Sequence, residues 1–270
     1  MKSRNLVIAI PIALTAILSV LLGAALVHGW FGSASAANRY FCEYAPAGLL
    51  REPANAVSNL GFVAAGLISA WMLRAEKFRK NENPLTRDRA IAILFCSLPI
   101  LLGFGSMAMH ASETELGGEL DLLAMYLVAG FTTAYALRRY FGWGWGGFAA
   151  TILFAVLFCE VAGTYRQLVV PVLDYAGDAA FALLIAVTVA IETLNATFQK
   201  VRRENKWGIA ALFSFLAAFA VWNFGRNDCP FCRPDSLWQP HALWHILFAL
   251  ALFLLFRLYV SENTRAGGKR

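Results

Sequence analysis

Apolar residues in this chain run in blocks of about 20 separated by short polar clusters, and a helix of that length crosses a hydrocarbon core roughly 30 Å thick. Cutting at the polar clusters predicts spans near Leu6 to His28, Ala54 to Met72, Ala90 to Met109, Leu120 to Ala136, Gly147 to Thr164, Leu168 to Thr193, Trp207 to Phe224 and Pro240 to Val260. Backbone groups in lipid must bond within their own segment, so these runs read as helices. The fold class predicted is all-α: a polytopic membrane helix bundle with a seven-transmembrane core plus an N-terminal signal anchor or signal peptide.

Composition supports this reading. Of 270 residues, 59% are hydrophobic, above the roughly half-apolar content of soluble domains. The formal charge of +6 could suggest a nucleic-acid partner. Its basic residues, however, sit in short connections between apolar spans rather than on one basic module, so no nucleic-acid partner is expected. Arg74, Lys77, Arg79, Lys80, Arg87 and Arg89 mark one side as cytoplasmic by the positive-inside rule. Arg138 with Arg139, then Lys200, Arg202, Arg203 and Lys206, and the tail with Arg265, Lys269 and Arg270 each fall an even number of spans away. The alternate loops are acidic or balanced, as at Glu113, Glu115 and Glu119.

Lys2 and Arg4 precede the first span, and Ala34-Ser35-Ala36 resembles a small-residue cleavage site. The apolar core is long for a signal peptide, which favours an uncleaved anchor over a cleaved signal. The domain organisation expected is therefore 1–36 signal anchor or signal peptide, 37–53 external segment, 54–260 seven-helix transmembrane domain and 261–270 cytoplasmic tail. No soluble domain, long linker, low-complexity tract or clear internal repeat interrupts it. Cys42, Cys229 and Cys232 are external under this topology, where an oxidised pair can form. Cys229-x-x-Cys232 could instead be half of a metal knuckle, but no second pair completes four ligands. Cys96 and Cys159 read as packing residues within spans.

Ionisable side chains at membrane depth are rare and point to function. Of four histidines, His28 ends the first span and reads as interfacial. His241-Ala-Leu-Trp-His245 places two imidazoles one helical turn apart on one face, where they can share an ion. Taken alone, two helix histidines are as readily satisfied by neighbours or headgroups. His110 alters that balance, because loop charge puts its end of the span on the same membrane face. Three protein ligands with an open fourth position is the arrangement of hydrolytic zinc. Ser106 lies one turn before His110, and Asp121 opens the next predicted span near the same level. Alone, Ser106 is more often a packing residue and Asp121 a helix-start acid favoured by the dipole. Asp174 and Asp178, read as one turn apart on one helix face, and Glu160 suggest a polar cavity or hydrogen-bond network rather than catalysis.

These residues carry a family resemblance. Three blocks, Cys42-Glu43 through Glu52-Pro-Ala-Asn55-Ala-Val-Ser58-Asn59, then Gly105-Ser106-x-x-x-His110 with Asp121-Leu-Leu-Ala-Met125, and His241-Ala-Leu-Trp244-His245-Ile-Leu, span about Cys42 to Ile246. In order and spacing the chain resembles the alkaline ceramidases, membrane hydrolases of the superfamily that includes the progestin and adiponectin receptors. The resemblance implies a seven-helix core, zinc on His110, His241 and His245, and supporting roles for Ser106 and Asp121. The substrate it implies is an N-acyl sphingoid lipid, cleaved to a fatty acid and an amine. It also implies a calcium site, for which Glu43 and Glu52 match. Tyr40 and Ala45, however, stand where further oxygen ligands are expected, and calcium takes six to eight. The extra N-terminal span suggests bacterial-style export, hence the inner membrane with the active site toward the periplasm.

Two other readings compete with hydrolysis. A ligand-responsive receptor of the same superfamily would keep the zinc as a structural feature, against which the retention of Ser106 and Asp121 argues. A haem protein could ligate iron through His110 and one of His241 or His245, but the third histidine would be unexplained.

Overall fold

The computed structural model describes residues 6–35, 40–44, 48–74, 83–165, 169–170, 173–198 and 202–263. Ala36, Ala45, Lys77, Arg79, Lys80, Lys200 and the tail from Arg265 lie outside them. The helices are α1 Leu6–His28, α2 Pro53–Ser58, α3 Leu60–Met72, α4 Pro84–Arg87, α5 Arg89–Ser112, α6 Glu115–Phe141, α7 Trp145–Gly163, α8 Ala176–Thr197, α9 Asn205–Trp222 and α10 Pro240–Val260. Between α7 and α8, β1 Val169–Val170 pairs antiparallel with β2 Asp174–Tyr175. Among the described residues, eight stretches are long and apolar enough to cross a membrane, α2 and α3 together making one. The chain is a polytopic bundle of apolar helices, and most spans fall within a few residues of the pattern in the sequence.

Two spans differ. Helix α6 starts at Glu115 rather than near Leu120, which places Asp121 almost two turns inside the helix and not at its start. Glu115 in the first turn takes the place favoured by the helix dipole instead. Helix α8 starts at Ala176 because the preceding residues form the hairpin. Asp174 therefore belongs to β2, and the expectation that it shares a helix face with Asp178 is incorrect.

The chain divides into two compact units. The first comprises residues 1–124 and 204–261. In it α10 packs on α9 and α3, α3 on α5, and the short α2 between α5 and α10. Helix α1 lays Leu14, Leu18 and Leu22, spaced one turn apart, against a cluster of Val63, Ile100, Phe104 and Met107. Asn83 caps α4 through its Oδ1 and donates Nδ2–H to the Tyr259 carbonyl at 2.7 Å, joining the loop before α5 to the end of α10.

The second unit comprises residues 125–203 and 262–270. Here Phe131 of α6 meets Phe148 of α7 edge-on, and Thr133 of α6 shares a 2.9 Å hydroxyl contact with Thr188 of α8. Arg139 and Arg203 each pair with both Glu192 and Glu262, forming a closed ring of four buried charges.

Candidate metal centre

The site is assembled in the first unit from α2, α5, the first turns of α6 and α10. Pro240 begins α10, where a missing N–H costs nothing, so His241 and His245 occupy the first two turns. Helix α5 presents His110 in its last turn. The three imidazoles are buried, at 1%, 3% and 2% exposure. His110 Nε2 lies 3.2 Å from His241 Nε2, and one ring nitrogen from each of the three falls within 4.8 Å of the others.

Partners on the far side of two rings decide which nitrogen faces inward. Glu52 Oε2 accepts the Nδ1–H of His110 at 2.5 Å. Ser58 donates its only hydroxyl proton to the Asn55 carbonyl at 2.7 Å, so at His245 it accepts the Nδ1–H, also at 2.7 Å. Both histidines thus hold Nε2 as a lone pair toward the centre, the arrangement of metal-bound imidazoles with a fixed tautomer. The Nδ1 of His241 is buried without a hydrogen-bond partner among the described residues. Ligands bound about 2.0–2.1 Å from a tetrahedral zinc stand roughly 3.3 Å apart, close to the separation of the His110 and His241 nitrogens. The donor set fits: these three histidines could hold a metal ion.

Glu52 is placed by backbone as well as side chain. Its N–H bonds the His110 carbonyl at 2.9 Å, and its Oε2 also accepts Asn55 Nδ2–H at 2.8 Å. Glu43 caps α2 from a distance in sequence, its two oxygens accepting the N–H groups of Ala54 and Asn55 at 2.7 and 2.8 Å. Burial holds the Glu43 carboxyl above the ordinary carboxylate range, against those two N–H groups, which pull it down. Among the described residues no group of three or more acids gathers around Glu43 and Glu52. Both Glu43 oxygens and Glu52 Oε2 are thus already engaged by N–H groups, whereas calcium takes six to eight oxygens.

Ser106 and Asp121 meet across α5 and α6. Their side chains share a hydrogen bond, and the charge of Asp121 acts on His110. The close approach depends on Gly105, where a Cβ would stand 2.6 Å from the Leu120 carbonyl oxygen. Ser106 is buried, and Asp121 is half-buried.

A disulfide joins Cys42 to Cys232 across 190 residues, leaving Cys229 a free, half-exposed thiol and Cys96 and Cys159 buried thiols. The bridge ties the 40–44 segment to the loop before α10. His28 is exposed and stacks on Trp30, away from the triad in sequence and role.

The structure brings together the three histidines that the sequence singles out, and it adds Glu52 and Ser58 as imidazole partners, which the sequence did not indicate; Glu52 stood there only as a match to a calcium position already short of ligands. A family model described as Ceramidase matches residues 34–267, which takes in every helix after α1. A search of curated proteins finds no match.

Proposed function

Because this chain belongs to the ceramidase family, we propose that it is a zinc-dependent membrane hydrolase that cleaves the amide of a ceramide-like N-acyl lipid to a fatty acid and an amine. The observation that carries this reading is the buried triad of His110, His241 and His245, with two rings oriented by Glu52 and Ser58 and the Ser106–Asp121 pair close by. Zinc, when bound by these residues, would supply an electrophile and bring the pKa of a bound water down toward roughly 7.

Asp121 is the proton carrier in this scheme. It accepts the proton of the attacking water and returns it to the amide nitrogen, so that hydroxyl adds to carbon, hydrogen adds to nitrogen and the C–N bond breaks. Ser106 is coupled to that transfer. A hydroxyl has one proton, and while Asp121 is ionised Ser106 donates it there. Once Asp121 is protonated it becomes the donor to Ser106 Oγ, which frees the Ser106 proton for the oxygen developing charge at the carbonyl carbon. A donor of this kind is typically worth about 3 to 4 kcal/mol.

The apolar helices around the site hold the acyl chain. The site faces the periplasm of a bacterial inner membrane, an orientation supported by the Lys and Arg content of the opposite loops. We take α1 as an anchor that remains attached, since Leu14, Leu18 and Leu22 pack on α3 and α5. Hydrolysis of a defined ceramide by the purified chain, lost on chelation and restored by zinc alone, tests the proposal; unchanged cleavage in the metal-free protein would sink it.

A further inference from the structure

His110 and His245 are oriented by hydrogen bonds on Nδ1, whereas the Nδ1 of His241 has no such partner among the described residues. An imidazole without one turns freely about its broad χ2 torsion, and its Nε2 then has no fixed direction. The face of the His241 ring is nevertheless covered. Phe41 stacks on it with ring centroids 3.4 Å apart and planes at 24°, and also reaches His110 at 5.4 Å. On its backbone side, Gly225 stands so near that a Cβ there would lie 2.9 Å from the His241 Cβ.

Phe41 is itself held firmly. It forms an isolated antiparallel bridge with Arg226, the Cys42 N–H bonds the Gly225 carbonyl at 2.9 Å, and the Asn227 N–H bonds the Tyr40 carbonyl at 3.0 Å. The Cys42–Cys232 disulfide fastens the residue that follows. The ring is buried, at 8% exposure, so it has no other place to go.

We propose that Phe41 is the positioning residue for the third metal ligand, fixing the plane of His241 by stacking where His110 and His245 are fixed by hydrogen bonds. The inference rests on the zinc reading above. It makes the disulfide part of the site's construction: Cys42 anchors the ring that orients the ligand. Loss of a group that orients a ligand typically weakens metal binding 10- to 100-fold, and the effect here falls on retention of the ion.

The test follows zinc release from the full-length, zinc-loaded protein in detergent to a chromophoric chelator in excess. Phe41→Leu, which keeps apolar bulk but has no ring face, is expected to release zinc about tenfold faster than wild type. Phe41→Ala should be at least as fast. Phe41→Trp, which restores a face, should stay near the wild-type rate, and Cys42→Ser should shift toward the leucine variant. Wild-type release rates from both the leucine and the alanine variants would overturn the inference while leaving the zinc reading intact. A wild-type chain that takes up no zinc would overturn the zinc reading and this inference with it. Should the alanine variant fail to fold, the comparison of leucine with tryptophan decides alone.

Discussion

Glu52 and His110 stand 58 positions apart in sequence and share a 2.5 Å hydrogen bond between two almost fully buried side chains. A carboxylate behind a ligating histidine fixes its tautomer and raises its basicity. Glu52→Gln keeps the shape but removes the charge, and is expected to weaken zinc binding about 10- to 100-fold. Competition with a zinc-binding dye measures this; an unchanged Kd would separate Glu52 from the metal.

Calcium is expected to do little. Both Glu43 oxygens cap α2, Glu52 serves His110, and among the described residues no cluster of acids joins them. Titrating the zinc-loaded protein with calcium should leave the melting temperature unchanged. Stoichiometric binding abolished by Glu43→Ala would show that further oxygen ligands complete a calcium site there.

Glu262 links Arg139 and Arg203 in a ring completed by Glu192. Removing one member leaves buried charge without its full complement of partners, which typically costs about 3–5 kcal/mol. Glu262→Ala should therefore lower the melting temperature by roughly 6 °C or more. Zinc content, set by residues of the other unit, should not change. A melting curve like that of wild type would show that water or other groups compensate for the lost carboxylate.

The histidine triad was legible because two histidines at helical spacing announce a shared face, and alternation of loop charge assigns His110 to the same end. Its orienting groups were not legible. Glu52, Ser58 and Phe41 reach their imidazoles through tertiary contacts, and an apolar run carries no record of which neighbour it will meet. The bounds of α8 were misread for a related reason: Leu168 to Thr193 is apolar apart from a few acids, and that pattern is the same whether it forms one helix or a hairpin followed by one. Pro171, inside that run, was the signal of a break. The start of α6 was hidden by Glu115 and Glu119, which read as an acidic loop but lie within the helix.

The orientation we propose rests on the basic loops. In a Cys229→Ser background, a cysteine at Asp235 should react with an impermeant reagent in intact cells, and one at Arg74 should not. The reverse pattern would place the triad on the cytoplasmic side.

The most direct test of the central claim measures metal content and lipid-amide cleavage on the same preparations of wild type, the triple variant His110→Ala, His241→Ala, His245→Ala, and Asp121→Asn. The account predicts one zinc per wild-type chain, loss of zinc and activity together in the triple variant, and near-normal zinc with turnover lowered about 10²-fold or more in Asp121→Asn. Full zinc in the triple variant, or equal cleavage by wild type and Asp121→Asn, would contradict it.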